Sequence, residues 1–159
     1  MTANQRAVGL VVIVLVCFVA AGVGVLAMKR GLVEWYPSLA KPSWTPPNWV
    51  FGPVWTFLYL TMGVAAWLVW RRAGWAAAAI PLTLFAAQLA LNALWTPLFF
   101  GLHRPDLAFA DIVVLWLAIV AATVAFWRVT PSAAILMLPY LAWVSFASAL
   151  NFAIWRMNA

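Results

Sequence analysis

The chain has 159 residues, of which 68% are hydrophobic and 8% are charged, with a formal net charge of +6. A soluble domain carries about 25% charged residues, so a largely water-facing surface is excluded and lipid is the expected solvent. The nine Lys and Arg residues stand singly or in pairs between apolar runs. Basic residues in such places meet lipid headgroups, and nucleic acid is not an expected partner.

Five apolar runs are long enough to cross a membrane as helices, which takes about 20 residues each. Barrel strands are shorter, and a helix satisfies its own backbone groups in hydrocarbon. We therefore predict an all-α membrane protein, a five-transmembrane-helix bundle that forms a single domain over residues 1–159. The predicted spans are Ala7–Met28, Asn48–Trp70, Ala76–Phe100, Leu107–Trp127 and Ser132–Trp155.

The first predicted span contains no charged residue. It exceeds the apolar core of a signal peptide, about 7–15 residues, so a retained helix is expected. The connections after helices two, three and four are short, which favours antiparallel neighbours. Only the first loop, about Lys29–Pro47, is long, which indicates a functional face there. The basic residues divide four against five between the two sides, so this count does not fix the orientation.

The first loop ends in KPSWTPPNW, residues 41–49. Thr45 is the expected N-cap of helix two, with Pro46 at its first position. Lys41 is expected to lie over the ring of Trp44 in a cation–π contact. Two interpretations stay open for this segment, a stiff lid over a pocket or an interfacial aromatic belt, and composition favours the belt.

Aromatic and amide side chains recur at helical spacing on three of the predicted spans. They are Trp55, Tyr59 and Met62 on helix two, Gln88, Asn92 and Trp95 on helix three, and Tyr140, Trp143, Ala147 and Asn151 on helix five. Residues at such spacings share a face, and lipid cannot satisfy Gln or Asn, so these faces should point into the bundle. Their convergence suits a flat, largely apolar ligand, although ordinary helix–helix contacts explain the spacing equally well.

Other features are less specific. Prolines at 81, 97 and 139 lie within the spans, where proline tends to kink a helix. Asp111 is either an intramembrane functional carboxylate or, with Asp106, a partner for the positive end of helix four; we favour the second. His103 has no cluster of carboxylates or thiols beside it in sequence, so no metal site and no catalytic histidine are expected.

Three stretches resemble the tryptophan-rich sensory protein/translocator protein (TspO/MBR) family, also called the peripheral benzodiazepine receptor family. They are EWYPSLAKPSWTPPNWVFGPVWTFLY (34–59), QLALNALWTPLFFG (88–101) and PYLAWVSFASALNFAIWR (139–156). The resemblance implies a five-helix membrane protein, usually a homodimer, with a pocket that opens towards the first loop. A bacterial envelope is the expected location.

The resemblance also implies a function. It indicates a sensor or translocator that binds protoporphyrin IX and also accepts sterols and isoquinoline- or benzodiazepine-type ligands, with no required cofactor. The alternatives are a light-dependent porphyrin-degrading enzyme, in which Trp55 and Trp143 would take part, and a transporter of porphyrin or cholesterol.

The resemblance, together with the helical spacing of Tyr59 from Trp55, implies nine ligand-binding residues. They are Trp35, Tyr36, Trp49, Trp55, Tyr59, Asn92, Trp95, Trp143 and Ala147. A weak sterol motif at the end of helix five retains Leu150 and Arg156, but Phe152 replaces its tyrosine. The motif is weak even when complete, and the lost hydroxyl argues further against specific sterol recognition. Because the chain is also bacterial-like, porphyrin is a better expected ligand than sterol.

Overall fold

A computed structural model describes residues 2–159, and these contain five long helices and no strand. The helices are α1 (Ala3–Arg30), α2 (Asn48–Ala77), α3 (Ala79–Thr96), α4 (Pro105–Val129) and α5 (Pro131–Met157). All five are long and apolar enough to cross a membrane. The predicted all-α, five-helix fold is therefore confirmed.

Consecutive helices alternate in direction, because Ala78 alone joins α2 to α3 and Thr130 alone joins α4 to α5. We call this side of the bundle, together with residues 2–6, the short-turn end. The opposite side, with residues 31–47 and 97–104, is the first-loop end. There the side chain of Asn158 accepts a hydrogen bond from the Ala40 N–H (3.0 Å) and donates one to the Ala40 carbonyl (2.9 Å). These two bonds fasten the first loop to the end of α5.

The predicted N-cap of helix two is wrong by two residues, although the predicted span begins at the observed first residue, Asn48. The Thr45 hydroxyl does not cap the helix, because it donates to the carbonyl of Pro42 at 2.7 Å and closes a turn within the loop. The helix begins instead at Asn48, after Pro47 in an extended conformation. Thr45 is thus engaged by the residues before it, which sequence spacing alone does not show.

Lys41 also lies elsewhere than predicted. Its ammonium group is 4.8 Å from the centroid of the Tyr36 ring, rather than over Trp44. It donates to the carbonyl oxygens of Tyr36 and Leu39, both at 2.8 Å. Tyr36 begins a 3₁₀ turn, Tyr36–Ser38, and short helical turns leave carbonyl groups unsatisfied at their ends. Lys41 therefore stabilises the turn and not the tryptophan.

The three prolines of the predicted spans occupy different positions in the observed helices. Pro81 falls in the first turn of α3, where a missing N–H removes no intrahelical bond. α5 continues through Pro139, whereas Pro97 begins a π turn, Pro97–Gly101, that follows α3. α2 departs from helical geometry at Gly74, where φ is +73°, a conformation that glycine adopts without steric cost.

The core lies between α2, α3, α4 and α5, and α1 is peripheral. Large buried side chains such as Met62, Phe126 and Tyr140 fill the centre. Among the described side chains of α1, only Cys17 is buried. Because α1 packs loosely over α2 and α3, space remains between it and the other helices near the first-loop end.

Candidate ligand cavity

A cavity of about 510 Å³ lies near the first-loop end and is lined by residues from all five helices. Its aromatic lining consists of Phe18, Tyr36, Phe51, Trp55, Tyr59, Trp95, Phe99, Phe100 and Trp143. Three asparagine amides also line it, Asn48, Asn92 and Asn151. No charged side chain of the described residues lines this cavity. An aromatic, uncharged space with a few polar groups suits a flat apolar ligand.

The wall contributed by α1 consists largely of small side chains. They are Ala20, Ala21, Gly22 and Gly24. A Cβ atom at Gly22, or at Gly52 on the facing part of α2, would have no neighbouring atom within 4 Å. Both glycines are exposed, so the wall between α1 and α2 is open at this level.

A hydrogen-bonded triad forms the cavity floor. The Asn92 side-chain oxygen accepts from the Tyr59 hydroxyl, and its amide nitrogen donates to the Tyr140 hydroxyl at 2.9 Å. All three residues are buried. Trp55 packs on both tyrosines, with ring centroids 5.6 Å from Tyr59 and 6.2 Å from Tyr140. The triad fixes the orientation of the amide and of the two rings because every partner is satisfied.

Asn151 likewise fixes an aromatic side chain by hydrogen bonding, on another wall of the cavity. Its side-chain oxygen accepts from the Trp95 indole N–H at 2.9 Å, and its amide nitrogen donates to the Pro105 carbonyl at 2.8 Å. Trp95 in turn stacks on Phe99 with ring centroids 5.0 Å apart. The Trp143 indole N–H, by contrast, is buried and has no hydrogen-bond partner among the described residues. It is a donor that an acceptor on a ligand can satisfy.

Seven of the nine predicted site residues line the cavity. They are Tyr36, Trp55, Tyr59, Asn92, Trp95, Trp143 and Ala147. Trp35 does not, because it lies behind the wall, stacked on His103 with ring centroids 4.5 Å apart. Trp49 does not either, since its side chain is 75% exposed. It lies one residue after Asn48, about 100° around the helix, and so leaves the cavity face.

The weak sterol motif does not form one surface. Leu150 is buried and lines the cavity. Phe152 is exposed on the outside of α5, where it packs on Phe109 and Trp155. Arg156 is exposed. The three residues therefore face different directions, and the motif residues do not come together as a single site.

The predicted inward direction of the amides is confirmed, since Gln88, Asn92 and Asn151 are all buried. The favoured interpretation of Asp111 is wrong. Its carboxylate is buried on the inner face of α4, with one oxygen unpartnered among the described residues, and it does not line the cavity. Asp106 alone lies in the first turn, paired with Arg104 at 2.6 Å.

Several lining residues escaped the sequence analysis. The small residues of α1 are the main group, and the segment AAGVG (20–24) was the available signal for them. Phe99 and Phe100 were missed because their place on the wall depends on the π turn after α3.

The phenol of Tyr36 lies at the first-loop end of the cavity, and burial raises its pKa, so it remains neutral at physiological pH. The described residues contain no cluster of ligands for a metal ion.

Comparison with known proteins agrees with this architecture. The TspO/MBR family model matches residues 11–156. The human translocator protein is 47% identical over 128 residues, which cover 79% of this chain and 76% of the human protein. The tryptophan-rich protein TspO of Chlorobaculum tepidum is 41% identical over 157 residues, 98% of this chain and 99% of the relative. The tryptophan-rich sensory protein of Cereibacter sphaeroides is 46% identical over 125 residues, 79% of this chain and 77% of the relative.

These matches agree with the three motifs that carried the resemblance. Together with five apolar helices, they make the chain an integral, multi-pass membrane protein. The chain belongs to the TspO/MBR family.

Proposed function

We propose that the cavity binds a flat tetrapyrrole, with protoporphyrin IX as the expected ligand, and that the protein acts as a sensor or translocator of that ligand. The observation that carries the proposal is the 510 Å³ cavity with its aromatic and amide lining. A porphyrin ring offers two large π faces, which indole and phenol rings can contact by stacking or edge-on. The unpartnered Trp143 N–H supplies a directional donor.

The sensing step in this proposal is a change of the first loop. Tyr36 belongs both to the loop and to the cavity wall. A ligand that contacts Tyr36 has a different affinity for loop-closed and loop-open states, and that difference shifts the population between them. In a translocator role, the same cavity would bind the tetrapyrrole and release it at a different side of the protein.

Fluorescence titration with protoporphyrin IX tests the binding. Ala147 lines the cavity, and a phenylalanine there fills space that the ring needs. We expect Ala147→Phe to weaken binding about tenfold, because overpacking costs about 1–3 kcal/mol. No indole is added or removed, so the quenching signals remain comparable.

Ala149→Phe is the matched control. Ala149 lies two residues further along α5, is exposed, and does not line the cavity. We expect its binding curve to follow that of the unmodified protein. Equal binding by all three proteins, or no quenching of any of them at micromolar porphyrin, would contradict the cavity assignment.

Light-dependent porphyrin degradation is a second candidate function. Trp55, Tyr59 and Tyr140 form a continuous set of aromatic contacts that leads from the cavity to its floor. Such rings can donate electrons to a light-excited porphyrin while dioxygen serves as the oxidant. Loss of the porphyrin absorbance band under light should slow in Trp55→Phe/Trp143→Phe. Unchanged loss in that variant would remove the indoles from the reaction.

A further inference from the structure

A second concave surface lies at the short-turn end, on the opposite side of the bundle from the cavity. It is a groove of about 390 Å³ lined by Arg6, Leu68, Arg71, Arg72, Thr130 and Ser132. Arg6 comes from α1, the next two arginines from α2, and the hydroxyls from the start of α5. Three guanidinium groups and two hydroxyl groups thus face one space. We call it the basic groove.

Trp67 contacts the backbone of Arg6 and the side chain of Arg71. Its indole N–H donates to the carbonyl of Arg6 at 2.9 Å, which fastens the beginning of α1 to α2. The guanidinium of Arg71 lies 4.6 Å from the centroid of the same ring. A cation held against an indole face loses freedom before any ligand arrives. Trp67 therefore holds the Arg71 guanidinium and fixes the backbone of Arg6 beside it, although 65 positions separate the two arginines in sequence.

The charge of the basic groove is not neutralised by the protein. The chain contains three acidic residues, Glu34, Asp106 and Asp111, and none of them lines the groove. Among the described residues, the one salt bridge joins Arg104 to Asp106 at the first-loop end. Because no carboxylate lies at salt-bridge distance, the guanidinium groups keep their hydrogen-bond donors available for an external anion.

The beginning of α5 adds to the same site. Thr130 precedes the helix in an extended conformation, and no side chain caps the first turn. The hydroxyls of Thr130 and Ser132 lie 3.1 Å apart, and both residues line the groove. A helix N-terminus carries a partial positive charge and free N–H groups. The hydroxyls and the helix end therefore complement the arginines in attracting an anion.

We propose that the basic groove binds the phosphate group of an anionic phospholipid. Guanidinium groups recognise phosphate through paired N–H donors. Thr130 and Ser132 supply one further donor, because one of their hydroxyls donates to the other. Trp75 and Trp127 are largely exposed at the same end of the bundle, and exposed tryptophans mark the headgroup level of a membrane. The depth of the groove thus favours a lipid headgroup over a soluble phosphate.

Competitive quenching by brominated lipids tests this site. The full chain is placed in nanodiscs that contain brominated phosphatidylglycerol or brominated phosphatidylcholine, and tryptophan fluorescence is measured against lipid composition. Trp67 lies at the groove. We expect stronger quenching by phosphatidylglycerol at equal mole fraction. Arg71→Gln/Arg72→Gln should reduce that preference, by about fivefold for each arginine removed.

Lys29→Gln/Arg104→Gln is the matched control, because it removes two positive charges at the opposite end of the bundle. Its preference for phosphatidylglycerol should equal that of the unmodified protein. Equal loss in both double variants would show attraction by net charge and overturn the proposal. Absence of any preference in the unmodified protein would also overturn it.

Two further arms complete the test. Inorganic phosphate at millimolar concentration should not abolish the lipid preference; if it does, a soluble phosphate is the occupant and the lipid assignment is wrong. Ser132→Ala keeps all three arginines and covers the case in which the double variant fails to fold. We expect it to lower the preference about threefold, the effect of one hydrogen bond. An unchanged preference in a folded Ser132→Ala protein would contradict the site as proposed, because Ser132 is one of its hydrogen-bonding groups.

Discussion

Two buried amides on α3, four residues apart, have opposite energetic roles. Asn92 uses its oxygen and its nitrogen in hydrogen bonds to two tyrosine hydroxyls. Gln88 is fully buried, and neither its oxygen nor its nitrogen has a partner among the described residues. A buried polar group without a hydrogen-bond partner lowers the free energy of unfolding. A buried hydrogen bond contributes modestly to stability, but removing one of its partners leaves the other unsatisfied and costs more. The same residue chemistry therefore stabilises at one position and destabilises at the other.

Substitution of the two amides should change stability in opposite directions. Gln88→Met keeps the length of the side chain and removes both unpaired atoms, so we expect the free energy of unfolding to rise by about 1 kcal/mol. Asn92→Leu leaves two tyrosine hydroxyls unpaired and should lower it by about 1–3 kcal/mol. Thermal unfolding in detergent micelles measures both. A lower midpoint for Gln88→Met would show that this amide is satisfied after all.

For single residues, the sequence predicts whether a side chain points into the bundle better than it predicts which groups that side chain contacts. Residue type and spacing were enough to turn Gln88, Asn92 and Asn151 inward, since lipid cannot satisfy an amide. They could not show that Asn151 holds Trp95 or that Trp49 is exposed. Lys41 shows the reason, because it bonds to carbonyl groups of a turn whose shape is set by the whole loop.

Among the elements, the first loop has the most direct connection to the cavity. Its Tyr36 lines the wall, and its Ala40 is bonded twice to Asn158 at the end of α5. Asn158→Ala removes both bonds, so the loop should open more often. Hydrogen–deuterium exchange over residues 36–47 should be faster in this variant by about fivefold or more, since two bonds are lost.

Ser38→Ala provides the control for the loop. The Ser38 hydroxyl donates to the Trp35 carbonyl at 2.7 Å. This bond is local and, unlike those of Asn158, does not connect the loop to α5. Exchange in the rest of the loop should remain at the level of the unmodified protein. If Asn158→Ala and Ser38→Ala exchange equally, the contact with α5 does not govern the opening of the loop.

The junction between α1 and the first loop depends on a close approach at Gly31. A Cβ atom there would lie 2.2 Å from the carbonyl oxygen of Phe100. Because that neighbour is backbone, it cannot rotate away, and Gly31→Ala should lower the free energy of unfolding by about 1–3 kcal/mol. Gly22→Ala on the same helix meets no atom within 4 Å and should be neutral or stabilising. Thermal unfolding of the pair checks the difference, and equal midpoints would contradict it.

Element types followed directly from length and polarity, whereas their ends did not. Every predicted span coincides with a long helix, because only a helix satisfies its backbone across hydrocarbon. The ends are set by local bonds, such as the turn that Thr45 closes on Pro42. The π turns at Gly31–Trp35 and Pro97–Gly101 have no distinctive composition, and they were not predicted.

For the whole molecule, a ligand in the cavity should stabilise the fold by mass action. A ligand at one hundred times its dissociation constant adds about 2.7 kcal/mol to the free energy of unfolding. We expect protoporphyrin IX to raise the unfolding midpoint of the unmodified protein and of Ala149→Phe. The rise should be much smaller for Ala147→Phe at the same ligand concentration. An equal rise for both variants would place the ligand outside the cavity.

The overall architecture was largely predictable, and the cavity was predictable only in part. Composition and run length gave a five-helix bundle, and the motifs around Trp55, Asn92 and Trp143 indicated where its helices converge. The empty volume itself arises because α1 packs loosely and presents small side chains. That property belongs to the packing of several helices, and no single stretch of sequence contains it.

The uncharged lining of the cavity places a condition on how an acidic ring can lie in it. Each ionised propionate would lose several kcal/mol of hydration free energy at the floor of the cavity, because no charged side chain of the described residues lines it. If the cavity binds a diacid porphyrin as proposed, the ring would lie with its carboxylates towards water and its vinyl edge towards the Asn92 triad. A neutral dimethyl ester is free of this restriction and can enter either way round.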